Sequence, residues 1–148
     1  MYTHHKVEAV ILFIAVAILS FLSAVTYKNL AITAITVVSI SLGVYIAAMS
    51  ALLGSPYADK LKAVADEKVK TKSQLGVLAT YLRVAGRFSV FTIIISSLYQ
   101  FTSLKINNVF LSQIVSSISC GIFALNILFL WLIFSFLSTA LINSSQKK

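Results

Sequence analysis

Four long apolar runs, at residues 7–27, 30–53, 88–104 and 109–142, decide what this chain can become. A helix needs ~20 residues to cross the ~30 Å hydrocarbon core of a bilayer. The first two runs fit that length with modest tilt, and the fourth must tilt or protrude. The runs are continuously apolar, which argues against a membrane β-barrel, because barrel strands alternate apolar and polar residues. Of the 148 residues, 59% are hydrophobic and 11% charged, against about 25% charged in soluble domains. A water-soluble fold of this size cannot bury so much apolar side chain. Lipid is therefore the expected solvent. The single proline, Pro56, leaves nearly every run free to be helical.

Most of the charge sits between the second and third runs. Ser55-Pro56 reads as a helix start, with serine at the N-cap, proline at the first position and Asp59 in the first turn. Asp66 and Lys70 form an acid-first i,i+4 pair. No strong breaker follows, so the segment predicts one helix over 56–104, with Gly76 or Gly86 as bend points. Its first part, 56–87, is expected to be a cytoplasmic arm and its second, 88–104, the third span. Along the arm, Leu61, Val64, Thr71, Leu75, Leu78 and Leu82 follow a heptad-like seam interrupted by Lys68. Such a seam suits contact between copies, an interfacial helix on anionic lipid, or a platform for a soluble partner.

Basic residues set the topology. With four crossings, one side holds Lys6, Lys60, Lys62, Lys68, Lys70, Lys72, Arg83, Arg87, Lys147 and Lys148, and the other only Lys28 and Lys105. The positive-inside rule then puts both termini in the cytoplasm. The formal net charge of +8 is explained by topology and headgroup anchoring, so direct contact with nucleic acid is not expected. The first run is long enough to stay as a span rather than be cleaved as a signal peptide. The turn Tyr27-Lys28-Asn29 is expected to make it a hairpin with the second.

Asp and Glu occur only at positions 8, 59, 66 and 67, none at mid-membrane depth in this reading. Ion-coupled transporters and voltage sensors place ionisable groups inside the membrane. Small multidrug exporters use a buried glutamate in their first helix, whereas Glu8 stands at a helix end. No charged base neighbours a nucleophile and no glycine-rich phosphate loop occurs, so neither catalysis nor a cofactor is expected. Adjacent His4 and His5 make a poor metal site, and Cys120, the single cysteine, reads as packing.

Within the spans, Ser39, Gly43, Ala47, Ala51 and Ser55 place a small residue at every fourth position. This stripe suits close helix approach, either to the first or third helix or to another copy of the chain. Ser89, Thr92, Ser96, Tyr99 and Ser103 form a polar line on the third helix. On the fourth, Gln113, Ser117, Gly121 and Ala124 share a face, and Asn126 lies near the centre. Mid-membrane polar groups need partners. The line predicts interhelical hydrogen bonds, or a weakly polar lining for a pore or ligand groove. Arg83 and Arg87, one turn apart, read as snorkelling headgroup anchors or as contacts for an acidic partner.

Residues 46–55 read Ile-Ala-Ala-Met-Ser-Ala-Leu-Leu-Gly-Ser and run into a basic segment. This stretch resembles the RexB-type phage-exclusion proteins of bacterial inner membranes, which share the order of two helices, a basic connector and two helices. The layout also resembles in outline the KwaA-type membrane subunits of Kiwa anti-phage systems. Here the connector is longer, begins with Pro56 and carries acidic as well as basic residues. The resemblance implies a membrane defence subunit, a homo-oligomeric sensor, anchor or channel. Its basic segment, Lys60, Lys62, Lys68, Lys70, Lys72, Arg83 and Arg87, would dock lipid headgroups or a cytoplasmic nucleic-acid-binding partner. The alternative is a holin-like lysis pore, since holins too are small, multi-helical and basic at the cytoplasmic end.

Overall fold

A computed structural model describes residues 2–54, 56–66, 73–101 and 109–145, leaving aside the side chains of residues 56, 57, 60 and 140–145. The fold is all-α. The helices are α1 (Thr3–Leu22), α2 (Tyr27–Leu53), α3 (Pro56–Ala63), α4 (Gln74–Phe101) and α5 (Val109–Ser145). Four contain stretches long and apolar enough to cross a membrane: Thr3–Leu22, Tyr27–Leu53, Gln74–Phe101 and Val109–Thr139. At 1.5 Å per residue the shortest of these is about 30 Å long, the thickness of a bilayer core. Their outward faces carry Ile11, Leu19, Leu22, Ile46, Phe91, Phe101, Trp131 and Phe134, all exposed. So large an apolar exterior is foreign to soluble monomers and is what lipid solvates.

The helices pack in the order α1, α5, α4, α2, and α2 also reaches α5. α1 and α5 run antiparallel: Gln113 Nε2 donates to the Ser20 carbonyl at 3.2 Å, and the Phe13 ring lies over Gly121. α1 is peripheral, with Ser20 its single buried residue. The core has two apolar clusters. One joins Tyr45 of α2, Val77, Leu78, Tyr81, Leu82 and Ala85 of α4, and Leu125, Phe129 and Ile133 of α5. The other, nearer the α1–α2 turn, joins Tyr27, Ala31 and Ala34 to Cys120.

Three expectations are corrected. The long helix over 56–104 does not form: α3 ends at Ala63 and α4 begins at Gln74. Between them the chain doubles back, with Ala65 bridged antiparallel to Ser73 and Gln74 N–H donating to the Val64 carbonyl at 3.1 Å. The reversal folds Ala58 and Leu61 into burial, where a straight arm would leave its apolar seam in water. For the same reason the segment 74–87 is no free arm, because Val77, Leu78, Tyr81, Leu82 and Ala85 belong to the core. The third apolar helix therefore covers Gln74–Phe101, not 88–104.

The connection between α1 and α2 also differs. The turn lies at residues 23–26, and Tyr27 is already the buried first residue of α2. α1 closes with Ala24 N–H donating to Phe21 O at 3.2 Å and Val25 N–H donating to Ser20 O at 3.1 Å. This is a Schellman ending, and its left-handed position, usually glycine, is filled by Ala24 at φ 48°. The turn separates its two helices. α1 packs on α5 and α2 on α4, so neighbours in sequence do not form a packed hairpin.

Candidate functional site

Three polar layers cross the bundle. The central one is built on Asn126. Its Nδ2 donates to Thr92 Oγ1 at 2.7 Å and to the Ile122 carbonyl at 3.0 Å, and its Oδ1 accepts from Ser89 Oγ at 3.0 Å. Thr92 Oγ1 donates in turn to the Phe88 carbonyl at 2.8 Å. Ser89, Thr92 and Asn126 are all buried. Both amide hydrogens are therefore used, and the polar line of α4 is closed against α5 rather than opened to a lumen.

The second layer lies at the α1–α2 turn. Tyr27 N–H, an unpaired donor of the first turn of α2, donates to Ser116 Oγ at 2.6 Å. The Tyr27 hydroxyl pairs with Ser96 Oγ at 2.7 Å, and its ring meets that of Tyr99 edge-on, 5.1 Å between centroids. Ser96 and Tyr99 thus join Ser89 and Thr92 in helix packing.

The third layer was not legible in the sequence. At the start of α1, the Tyr2 hydroxyl donates to Asp66 Oδ2 at 2.7 Å, and Tyr2 N–H donates to the Tyr81 hydroxyl at 3.0 Å. His5 Nδ1 pairs with the same Tyr81 hydroxyl. Asp66 is buried, and Lys70, its expected i,i+4 partner, lies outside the described residues. The Asp66 Oδ2 ties the α3–α4 connection to the start of α1. Tyr81 stands about 10 Å into α4 at helical rise, so the first turns of α4 project past the start of α1.

The small-residue stripe faces outward. Ser39, Gly43, Ala47 and Ala51 are exposed on α2, and a Cβ built on Gly43 meets nothing within 4 Å. The buried face of α2 is instead Tyr27, Ala31, Ala34, Val38, Ser41 and Tyr45. Close approach within the bundle occurs at Gly121, where an added Cβ would lie 2.8 Å from two Phe13 ring carbons. The expectation that the stripe packs against the first or third helix is thus corrected; it is free for another copy.

Among the basic residues, Arg83 and Arg87 are exposed on α4. Lys62 is exposed on α3 and pairs with Asp59 at 3.6 Å. Such a solvent-exposed pair contributes little. Ser55, Lys68, Lys70 and Lys72, with the side chain of Lys60, lie outside the described residues, as does Ser103. No cluster of three or more metal-ligating side chains occurs among the described residues. Searches of protein-family models, curated proteins and solved structures found no match to this chain.

Proposed function

We propose that this chain is the membrane subunit of a bacterial anti-phage defence assembly, a non-enzymatic inner-membrane protein that self-associates through α2. Its basic end, with both termini, would face the cytoplasm and engage anionic headgroups or a nucleic-acid-binding defence partner. The defence setting rests on the likeness of residues 46–55 and the helix order to RexB-type and KwaA-type proteins. The assembly rests on one observation: Ser39, Gly43, Ala47 and Ala51 lie on the outer face of α2. Lipid tails gain nothing from small residues, whereas a second helix packs closely on them.

Any conductance would run between copies rather than through one bundle, because the mid-span amide of Asn126 is fully hydrogen-bonded within it.

Two differently tagged copies, co-expressed and extracted in mild detergent, should co-purify, and Gly43→Leu should abolish that while leaving the helical content unchanged. Deleting the gene should raise phage plating. Co-purification unaffected by Gly43→Leu would remove the assembly. Prompt lysis on induction without phage would replace the defence reading with a holin-like one.

A further inference from the structure

A groove of about 420 Å³ opens on the outside of the bundle between α1 and α4. Ala9, Val10 and Phe13 form one wall, Val84 and Phe88 the other, and Leu125 and Phe129 of α5 the floor. It exists because α1 rests on α5 and does not pack along α4. The volume falls within the ~300–1,000 Å³ range of small-molecule sites. Its lining is apolar except at one end, where Lys6 stands in the first turns of α1.

We propose that this groove holds one acyl chain of an anionic phospholipid, with the lipid phosphate against Lys6. An apolar recess facing a bilayer has no polar partners to retain water, so hydrocarbon fills it. Lys6 is at the end of α1, at headgroup depth if the ~30 Å helix spans the core. Basic side chains outnumber acids around that end, where the Asp66 carboxylate is buried and its Oδ2 is taken up by the Tyr2 hydroxyl. Tyr2 and His5 meet Tyr81, which sets Lys6 level with the next turn of α4, where Arg83 is exposed. Arg87 follows one turn on, beside Phe88 of the groove wall. The first turn of α1 contains no acidic residue, so its N-terminal dipole also favours an anion. Glu8 is exposed and, at 100° per residue, lies on the side of α1 opposite Lys6, Val10 and Phe13. The site depends on the four spans and not on the defence role. Self-association through α2 leaves it open, because α2 does not pack against α1.

Spin-labelled lipids test it. The full chain is reconstituted in phosphatidylcholine bilayers with labelled phosphatidylglycerol or labelled phosphatidylcholine, and the motionally restricted fraction is measured. Phosphatidylglycerol should be preferred about fivefold, the factor that one basic residue supplies at an anionic surface. Lys6→Gln should cut that preference several-fold, to the part that Arg83 and Arg87 sustain. Ala9→Phe and, from the other wall, Val84→Phe should each remove about one restricted phosphatidylglycerol per chain, with unchanged circular dichroism certifying the fold. Equal restriction of the two lipids by the wild type overturns the proposal. So does a preference that Lys6→Gln leaves undiminished, or a restricted population that both filling variants leave intact.

Discussion

Gly121→Ala should destabilise the protein by about 1–2 kcal/mol, although alanine is the better helix former. The new methyl would sit 2.8 Å from Phe13 Cδ2 and Cε2 and 3.2 Å from the Phe13 carbonyl oxygen. Ordinary carbon contacts are about 3.5–4.0 Å, so the ring must retreat by more than half an ångström. The carbonyl belongs to the backbone of α1, so part of the strain can be relieved only by moving that helix off α5. Overpacking of this kind costs about 1–3 kcal/mol, and replacing a helical glycine by alanine returns up to about 1 kcal/mol. The double variant with Phe13→Ala removes both ring contacts, so the two changes should couple favourably by about 1 kcal/mol. Circular dichroism of unfolding in mixed detergent micelles measures all four proteins of the cycle. The argument fails if Gly121→Ala is as stable as the wild type, or if the two substitutions are additive. Gly43→Ala is the internal control. With nothing within 4 Å of its added Cβ, it should be neutral or slightly stabilising under conditions that keep the chain monomeric.

Three further outcomes follow from single side chains and the same unfolding assay. Asn126→Leu should cost about 1 kcal/mol or more, since it removes two interhelical hydrogen bonds worth roughly 0.6 kcal/mol each in a membrane and leaves Ser89 Oγ without its acceptor; no loss of stability would refute the closed central layer. The buried Tyr45 hydroxyl has no hydrogen-bond partner among the described residues, so Tyr45→Phe should stabilise by up to about 1 kcal/mol, whereas Tyr27→Phe should destabilise because it breaks the pair with Ser96. Ala24→Gly should raise stability by about 1 kcal/mol by relieving the left-handed φ of 48°, and a loss would show that the α1–α2 turn is closed differently.

The apolar runs made four helices legible, because sustained hydrophobicity over a bilayer's length has few other structural solutions. Their limits were less legible. Thr3-His4-His5-Lys6 is polar, yet it continues α1 through its first turn. Residues 74–87 read as an arm because Arg83 and Arg87 lower their hydropathy. Those arginines share an exposed face while Val77, Leu78, Tyr81, Leu82 and Ala85 bury the other. The break after Ala63 carries no glycine or proline and is made by contacts distant in sequence, Tyr2 with Asp66 among them. Such contacts leave no local signal. The polar line Ser89, Thr92, Ser96 and Tyr99 was readable as needing partners, and Asn126 as one of them. Its pairing with Tyr27 was not readable, since Tyr27-Lys28-Asn29 reads as a turn. A stripe of small residues announces close approach without naming the neighbour, which is why Ser39, Gly43 and Ala47 needed the fold to show that they face outward.

Cysteine accessibility in intact cells tests the central claim most directly. With Cys120 replaced by alanine, single cysteines at Lys28 and Lys62 are exposed to a membrane-impermeant thiol reagent before and after permeabilisation. The account predicts a membrane fraction released only by detergent, labelling at position 28 in cells whose outer membrane alone is opened, and labelling at position 62 only once the inner membrane is breached. Labelling of position 62 in cells with an intact inner membrane, or recovery of the chain in the soluble fraction, would contradict it.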